Sequence, residues 1–325
     1  MTTMQKVTGT GQEIRGHVGH NREIILALVL VVLVVIMSSL SPLFLTASNL
    51  LDMSRYFAET GLIALGMTLI IITGGIDLSV GSILALSSVT LGFSYQAGMP
   101  LPLSVLCAVV VGILCGLLNG VLTTAWNIHP LAITIATMAL FRGIANAVSN
   151  QRAVSSFPEW FGLFGQGAVG LVPNQLIVLA VAVVIAAIIL HRSRFGREVY
   201  AIGLNPVVAR FSGIKVRRDL IAVYALTGML AGIAAVIYTS RVSSARSDAG
   251  LALELSVIAA VVLGGASVRG GIGSIIGTVL GLLIISTLNQ GLLLTSLNAN
   301  WVMVILGAVM LVGVFINEGL RPAPR

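Results

Sequence analysis

The chain has 325 residues, of which 57% are hydrophobic and only 9% charged, with a mean hydropathy of +1.05. This composition excludes an ordinary soluble domain, because too little polar surface remains to solvate a globule of this length. The net charge of +7 does not indicate nucleic-acid binding, since the 18 lysines and arginines are scattered between apolar runs. The long unbroken apolar runs instead predict helices in a lipid bilayer, not the short alternating strands of a barrel.

A window of about 19 residues predicts ten transmembrane helices. They cover residues 24–40, 57–73, 80–97, 103–125, 131–148, 173–191, 219–239, 252–267, 271–294 and 300–317. Most of the cationic residues then share one side with the N-terminus, which predicts that both termini are cytoplasmic. The expected organisation is a cytoplasmic tail at 1–23, a transmembrane domain at 24–317 with a large inner loop at 192–218, and a second cytoplasmic tail at 318–325.

The second predicted span ends in an unusual break, TGGIDLSVGSILAL at 73–86. Gly74 and Gly75 interrupt the apolar helix, and Asp77 or Ser79 is expected to cap the helix that follows. A broken helix is tolerated where its backbone faces protein or a water-filled path, and an intramembrane carboxylate is by default a functional candidate. Asp77 therefore either lines a path or is a structural cap at the cytoplasmic edge.

Two predicted spans carry the same ladder of small residues. The fourth contains Gly112, Gly116 and Gly120, and the ninth contains Gly273, Gly277 and Gly281. Glycines four apart share one helix face and allow close approach of a neighbouring helix. Because these two spans would run in opposite directions, the ladders indicate two inverted halves, formed by spans 2–5 and 7–10.

The predicted outer segments offer two further features. Trp160, Phe161 and Phe164 in the stretch 156–167 suit either an interfacial helix or an aromatic belt. The polar stretch 240–255 is expected to be a gate, a receptor contact or a solvated loop.

The inner loop contains a second motif, in the stretch 194–218. Asn205 and Pro206 form an N-cap and first helical residue, and Gly213 stands where a glycine would end the helix. Val207, Phe211 and Ile214 give this helix a small apolar face beside Arg210 and Lys215. So short a helix needs a packing partner, either its own bundle or, as we prefer, another subunit.

Several classes of site are not expected. Neither Lys6 nor Lys215 belongs to a phosphate-binding GxxxxGK[ST] loop, so ATP hydrolysis by this chain is not predicted. The four histidines are dispersed, and Cys107 and Cys115 lie in one apolar run without metal or redox spacing. We predict no catalytic residue, no metal and no cofactor.

Together these segments resemble the ribose-type permease family of ATP-binding-cassette (ABC) sugar importers. The resemblance rests on LGMTLIIITGGIDLSVGSILAL at 65–86, LLNGVL at 117–122, FGREVYAIGLNPVVARFSGIKV at 195–216 and ELSVIAAVVLGGASVRGGIGSIIGT at 254–278. The chain departs from the family pattern at His129, where a second proline is usual. It also departs at SARSDAG, residues 244–250, on the expected outer gate, which leaves the particular substrate open.

The resemblance implies an all-α bundle similar to vitamin B12-type importer permeases, in the bacterial inner membrane. It implies three protein partners: a cytoplasmic ABC ATPase, a periplasmic sugar-binding protein and a second permease subunit, either a copy or a paralogue. The ATPase would dock on the inner-loop helix, whose candidate coupling residues are Gly203, Asn205, Pro206, Val207, Arg210, Phe211, Gly213 and Ile214. The candidate translocation residues are Asp77, Ser79, Ser82, Asn119, Thr134, Thr137 and Asn289.

Two questions remain open at this level. The sugar is a ribose-like pentose, a deoxyhexose or a compound like autoinducer-2, because in such systems a separate binding protein carries the selectivity. The alternative reading is an ion-coupled secondary sugar transporter that uses Asp77 as its proton or cation site.

Overall fold

The computed structural model describes residues 7–125 and 128–295, together with 301, 304, 305, 307, 308 and 311, and of residues 7–21 the backbone alone. The first helices are α1 (Val7–Leu40), α2 (Ala47–Ile72), α3 (Val80–Gln96), α4 (Leu101–Ala125), α5 (Pro130–Ser149) and α6 (Glu159–Gly165). A small antiparallel hairpin follows, formed by β1 (Ala168–Val169) and β2 (Val172–Pro173). The remaining helices are α7 (Asn174–Arg192), α8 (Arg194–Leu204), α9 (Pro206–Phe211), α10 (Val216–Val242), α11 (Leu253–Leu263) and α12 (Ile275–Leu293). The predicted all-α bundle is confirmed.

Seven helices of the described part are long and apolar enough to cross a membrane: α1 from Arg22 onward, α2, α4, α5, α7, α10 and α12. The predicted spans 80–97 and 252–267 are shorter helices, since α3 has 17 residues and α11 only 11. The predicted tenth span, 300–317, and the tail 318–325 lie largely outside the described residues. At the other terminus, α1 starts at Val7, so it reaches back into the segment predicted as a polar tail.

Helix α2 occupies the centre of the bundle. It contacts α7, α10, α11 and α12, and 83% of the residues in its most apolar stretch are buried. By contrast, α1 packs mainly on α12 and only 11% of the residues in its most apolar stretch are buried, so it lies at the periphery. We call lower the end of the bundle where α2 ends and α10 begins, and upper the opposite end.

Close packing of α4 on α10 depends on glycine. A Cβ atom at Gly112 would overlap the backbone of Gly228, and one at Gly228 would overlap that of Gly112. Farther down, Gly116 faces the backbone of Tyr224 and Gly120 that of Ile221. The predicted role of this ladder in close helix packing is confirmed.

The second ladder differs from the first. Gly273 precedes the start of α12, while Gly277 and Gly281 pack against Gly264 and Ala260 at the end of α11. The ladders of α4 and α12 therefore contact non-equivalent neighbours, and their likeness is not the basis of an internal symmetry. The contact pattern itself fits two inverted halves, because α3–α4 packs on α10 as α11–α12 packs on α2.

Candidate functional site

The break after α2 is a glycine-terminated helix end. Gly74 adopts φ +84°, its N–H donates to the carbonyl of Ile71, and the Gly75 N–H donates to the carbonyl of Ile70. These two bonds form a Schellman motif, in which a left-handed glycine satisfies the last helical carbonyls. The chain then has no regular structure from Gly75 to Asp77 before α3 starts at Val80.

Asp77 organises the turn that leads into α3. Its Oδ1 accepts hydrogen bonds from the Ser79 N–H at 2.8 Å and the Ser79 hydroxyl at 2.7 Å. Asn119 on α4 donates from Nδ2 to Asp77 Oδ2 at 3.3 Å and to Ser79 Oγ at 2.7 Å. Of the two expected caps, Ser79 makes no capping bond, whereas Asp77 caps the turn that starts α3 by accepting the Ser79 N–H.

The other predicted path residues near this turn also face protein. Thr134 donates to the carbonyl of Ile76 at 3.1 Å, and Thr137 donates to the carbonyl of Thr134. Six of the candidates have at most 3% of their surface exposed: Asp77, Ser79, Ser82, Asn119, Thr134 and Thr137. The structure thus brings Asp77, Ser79, Asn119 and Thr134 together in an enclosed cluster.

Within the polar stretch 240–255, residues 243–252 are irregular and partly buried against the bundle. Ala245 exchanges backbone hydrogen bonds with Val154, and both Ala245 and Ala249 are fully or almost fully buried. A Cβ at Gly92 would meet Ala245, whereas one at Gly81 would meet the carbonyl of Gly250. Gly92 and Gly81 are separated by about 16 Å of helix rise. The stretch therefore descends along α3 through about half of a 30 Å hydrocarbon core.

Arg142 holds this descending stretch in place. Its guanidinium Nη1 donates to the carbonyls of Ser247 at 2.6 Å and Ala249 at 2.7 Å. Arg142 lies within α5. The sequence signal was present, since an arginine inside an apolar span is a functional candidate by itself.

Asn289, the remaining predicted path residue, lies apart from the Asp77 cluster. It lines an upper cleft of about 490 Å³ between α2, α11 and α12. The polar lining of this upper cleft consists of Asp52, Tyr56, Thr60, Ser256, Ser286, Asn289 and Gln290. The cleft reaches from the upper end of α2 down to the start of α11, where the descending stretch ends. It thus brings polar and apolar side chains together at the upper part of the bundle.

A buried ion pair stands beside the upper cleft. Arg241 on α10 donates from Nε and Nη2 to the two carboxylate oxygens of Glu59 on α2, at 2.7 and 3.0 Å. The Arg241 guanidinium carbon also lies 4.6 Å from the centroid of the Tyr56 ring. These contacts cover one face of the Tyr56 ring, while 57% of the residue is exposed and the residue lines the cleft. The sequence does not predict this pair, because each residue falls near a predicted helix end.

The inner-loop helix is confirmed as α9. Asn205 Oδ1 accepts from the N–H groups of Val207 at 2.9 Å and Val208 at 3.1 Å, and Pro206 is the first helical residue. Gly213 adopts φ +83°, and the Ile214 N–H donates to the carbonyl of Ala209, which closes the helix as predicted.

The apolar face of α9 is largely unpartnered within the described part of the chain. Val207 is 59% exposed, Val208 58% and Phe211 89%. Ile214 instead packs inward with Ala209 and Val216. The face therefore comprises Val207, Val208 and Phe211 and not the predicted Ile214.

Helix α8 anchors α9 to the bundle. Tyr200 donates its hydroxyl to the carbonyl of Gly273 at 2.6 Å, and burial raises the pKa of Tyr200 to about 12. Glu198 accepts from Arg194 at 2.8 Å and lies 3.6 Å from Arg218. The hydrogen bond from Arg194 and the charge of Arg218 hold the pKa of Glu198 below its ordinary value.

Gly203 contributes to the same anchor. A Cβ on this residue would overlap the carbonyl of Ile72 at the end of α2 and the backbone of Gly271. The Gly271 N–H in turn donates to the Ile72 carbonyl at 2.8 Å. Gly203 thus seats α8 against the lower end of α2, which makes it a packing residue of the loop and not part of its exposed face.

Among the residues that the structure describes, no group of three histidine, cysteine or acidic side chains could hold a metal ion.

Comparison with known proteins places the chain among transport components. Residues 49–314 match the family described as branched-chain amino acid transport system / permease component. The ribose import permease protein of Bacillus subtilis is 42% identical over 291 residues, which cover 89% of this chain and 90% of that protein. The autoinducer 2 import system permease protein of Escherichia coli K12 is 39% identical over 276 residues, covering 83% of this chain and 84% of that protein. The predicted resemblance to ribose-type ABC permeases is confirmed, and the chain belongs to this family of permease components.

Proposed function

We propose that the chain is the membrane-spanning permease subunit of an ATP-driven importer for a monosaccharide or a sugar-like compound. The support is the similarity to ribose and autoinducer 2 import permeases over most of the length of each protein. In this proposal the protein lies in the bacterial inner membrane, with its lower end and both termini toward the cytoplasm. ATP hydrolysis is carried out by a separate ABC ATPase.

The observation that carries the proposal is the exposed apolar face of α9. Phe211, at 89% exposure, is on a short helix that is capped at both ends and anchored to α2 through Gly203. An exposed aromatic anchor on a rigid support is typical of a protein-binding surface. A cytoplasmic ATPase docked on Val207, Val208 and Phe211 would push on the break before Asp77.

The upper cleft is our proposed surface for the sugar. Its hydroxyl, amide and carboxylate groups can bind sugar hydroxyls, and the exposed Tyr56 ring offers an apolar face. Asn289 is the predicted path residue that lies on it. We assign the enclosed Asp77 cluster to helix positioning, because it is enclosed by protein and the Asp77 carboxylate accepts hydrogen bonds from Ser79 and Asn119.

The proposed importer contains two other protein partners. A periplasmic binding protein would deliver the sugar to the upper end, close to the aromatic α6, whose Trp160 and Phe164 are 47% and 50% exposed. A second permease subunit, a copy or a paralogue, would complete the bundle from the other side.

The test is co-purification of the ATPase with a Phe211→Ala variant. Loss of one exposed aromatic anchor should weaken ATPase binding by about 2 kcal/mol or more, roughly thirtyfold. The matched control is Leu171→Ala, which removes an equally exposed apolar side chain, 84% exposed, between β1 and β2 at the upper end. Undiminished ATPase binding by a folded Phe211→Ala protein would remove α9 as the docking helix.

A further inference from the structure

A second cleft, of about 670 Å³, opens at the lower end of the bundle, between the end of α4 and the start of α10. Its cationic lining consists of Arg210, Lys215, Arg217 and Arg218, and its other walls are formed by Thr124, Ile214, Val216 and Ile221. We call it the basic cleft. It combines a positive rim with an aliphatic floor at the level where two membrane-spanning helices end.

Three of the four cations have no acidic partner in the described part of the chain. Arg218 is neutralised by Asp219 at 2.8 Å and approaches Glu198. Arg210, Lys215 and Arg217 form no ion pair there. Concentrated positive charge is unfavourable by itself, and Arg217 stands in the first turn of α10, where the helix dipole disfavours cations. An anion bound in the basic cleft would therefore compensate the charge of these three cations.

The basic cleft adjoins an exposed aliphatic stripe of α4. Thr124 ends a stripe of α4 that carries Val121, Leu118 and Leu114, which are 39%, 39% and 56% exposed. In a membrane helix such exposed aliphatic side chains face acyl chains. A molecule that extends from this stripe into the basic cleft would be apolar along α4 and anionic at Arg210, Lys215 and Arg217.

We propose that the basic cleft is a binding site for the headgroup of an acidic phospholipid. Its phosphate lies among Lys215, Arg217 and Arg210, and its acyl chains follow α4 past Val121 and Leu118. Basic pockets between helices at the membrane surface select such headgroups by charge. A soluble phosphate would leave the aliphatic stripe unused, and an acidic protein surface would not extend along α4. The site adjoins α9, so a bound lipid would steady the loop between α8 and α10.

The test measures lipid binding to the purified full-length chain by native mass spectrometry, with phosphatidylglycerol and phosphatidylcholine as probes. The Lys215→Gln/Arg217→Gln variant should lose selectivity for phosphatidylglycerol, with binding roughly thirtyfold weaker, as expected for two surface cations. The matched control is Arg192→Gln/Arg197→Gln, which removes two cations of the same lower end outside the basic cleft. It should retain selectivity.

Other results would overturn the proposal. Equal loss in both variants would show a general effect of net charge. Unchanged selectivity in Lys215→Gln/Arg217→Gln would show that the lipid binds elsewhere. Displacement of phosphatidylglycerol by millimolar inorganic phosphate would identify a soluble-anion site. Loss of ATPase association in this variant with lipid binding intact would identify a protein contact. Circular dichroism of both variants shows that each result comes from folded protein.

Discussion

At the scale of single residues, the contacts of Asp77 favour a structural role for its carboxylate over a role as an ion-binding site. Ser79 and Asn119 supply the hydrogen bonds that the carboxylate needs, and in the described part of the chain no lysine or arginine forms an ion pair with it. The cluster joins α3 to α4 at the point where the chain leaves α2. An ion-coupled carrier would instead require that Asp77 be reached by its ion.

Substitutions at Asp77 should therefore follow hydrogen-bonding capacity and not charge. Asp77→Asn keeps the acceptor for the Ser79 N–H but loses the Oδ2 acceptor of Asn119, so we expect nearly unchanged sugar uptake and a smaller loss of thermal stability than with alanine. Asp77→Ala leaves buried donors on Ser79 and Asn119 unpaired and should cost about 1–3 kcal/mol for each, measured as a lower melting temperature in detergent.

The matched control is Asp52→Asn, whose carboxylate pairs with Arg55 at 3.2 Å and is half exposed. It should change stability little. If Asp77→Asn abolished uptake in a folded, ATPase-bound protein, the negative charge itself would be required and the structural assignment would be contradicted.

The same residues show what sequence can predict at this scale. The glycines of the break, the cap of α9 by Asn205 and its end at Gly213 follow from local rules, because a left-handed glycine or an N-cap depends on neighbours in the chain. The bonds from Asn119 to Asp77 and from Arg142 to Ser247 join residues 42 and 105 positions apart. No local pattern specifies such pairs. The sequence therefore indicates that Arg142 is unusual but does not predict its partners.

At the scale of elements, two shortened helices shape the proposed path. Both α3 and α11 start inside the bundle, after an irregular stretch, and they run in opposite directions. The stretch before α11 is fixed by Arg142, and α11 then contributes Leu253 and Ser256 to the upper cleft. Hydropathy alone predicted a full span at 252–267, because the apolar run of α11 continues into the glycine-rich turn after it.

Obstruction of the upper cleft should block transport without disturbing assembly. Ser286→Phe adds bulk between α2 and α12 where the cleft is open, and we expect uptake to fall about tenfold or more, equivalent to about 1.4 kcal/mol of barrier. ATPase association and melting temperature should stay unchanged.

Ser39→Phe adds the same side chain on the exposed surface of α1 and serves as the control. Normal uptake by folded Ser286→Phe protein, in vesicles where Ser39→Phe is also active, would exclude the upper cleft from the path.

At the scale of the whole molecule, the chain is one part of a larger machine. Its lower end presents an exposed aromatic helix, its interior holds a polar cleft, and its sequence lacks a phosphate-binding loop for ATP. Composition was sufficient to predict a helical membrane protein, and motif order was sufficient to predict the family. The identity of the sugar is not encoded in those features, because small polar groups of a path bind many hydroxyl patterns alike.

The most direct test of this account is sugar uptake into proteoliposomes that contain the chain, its ATPase and the binding protein. The account predicts uptake that requires ATP inside the ATPase-facing compartment, is absent when the chain is reconstituted alone, and is lost with Phe211→Ala but not with Leu171→Ala. Uptake by the chain alone, driven by a proton or sodium gradient with no ATPase present, would contradict it.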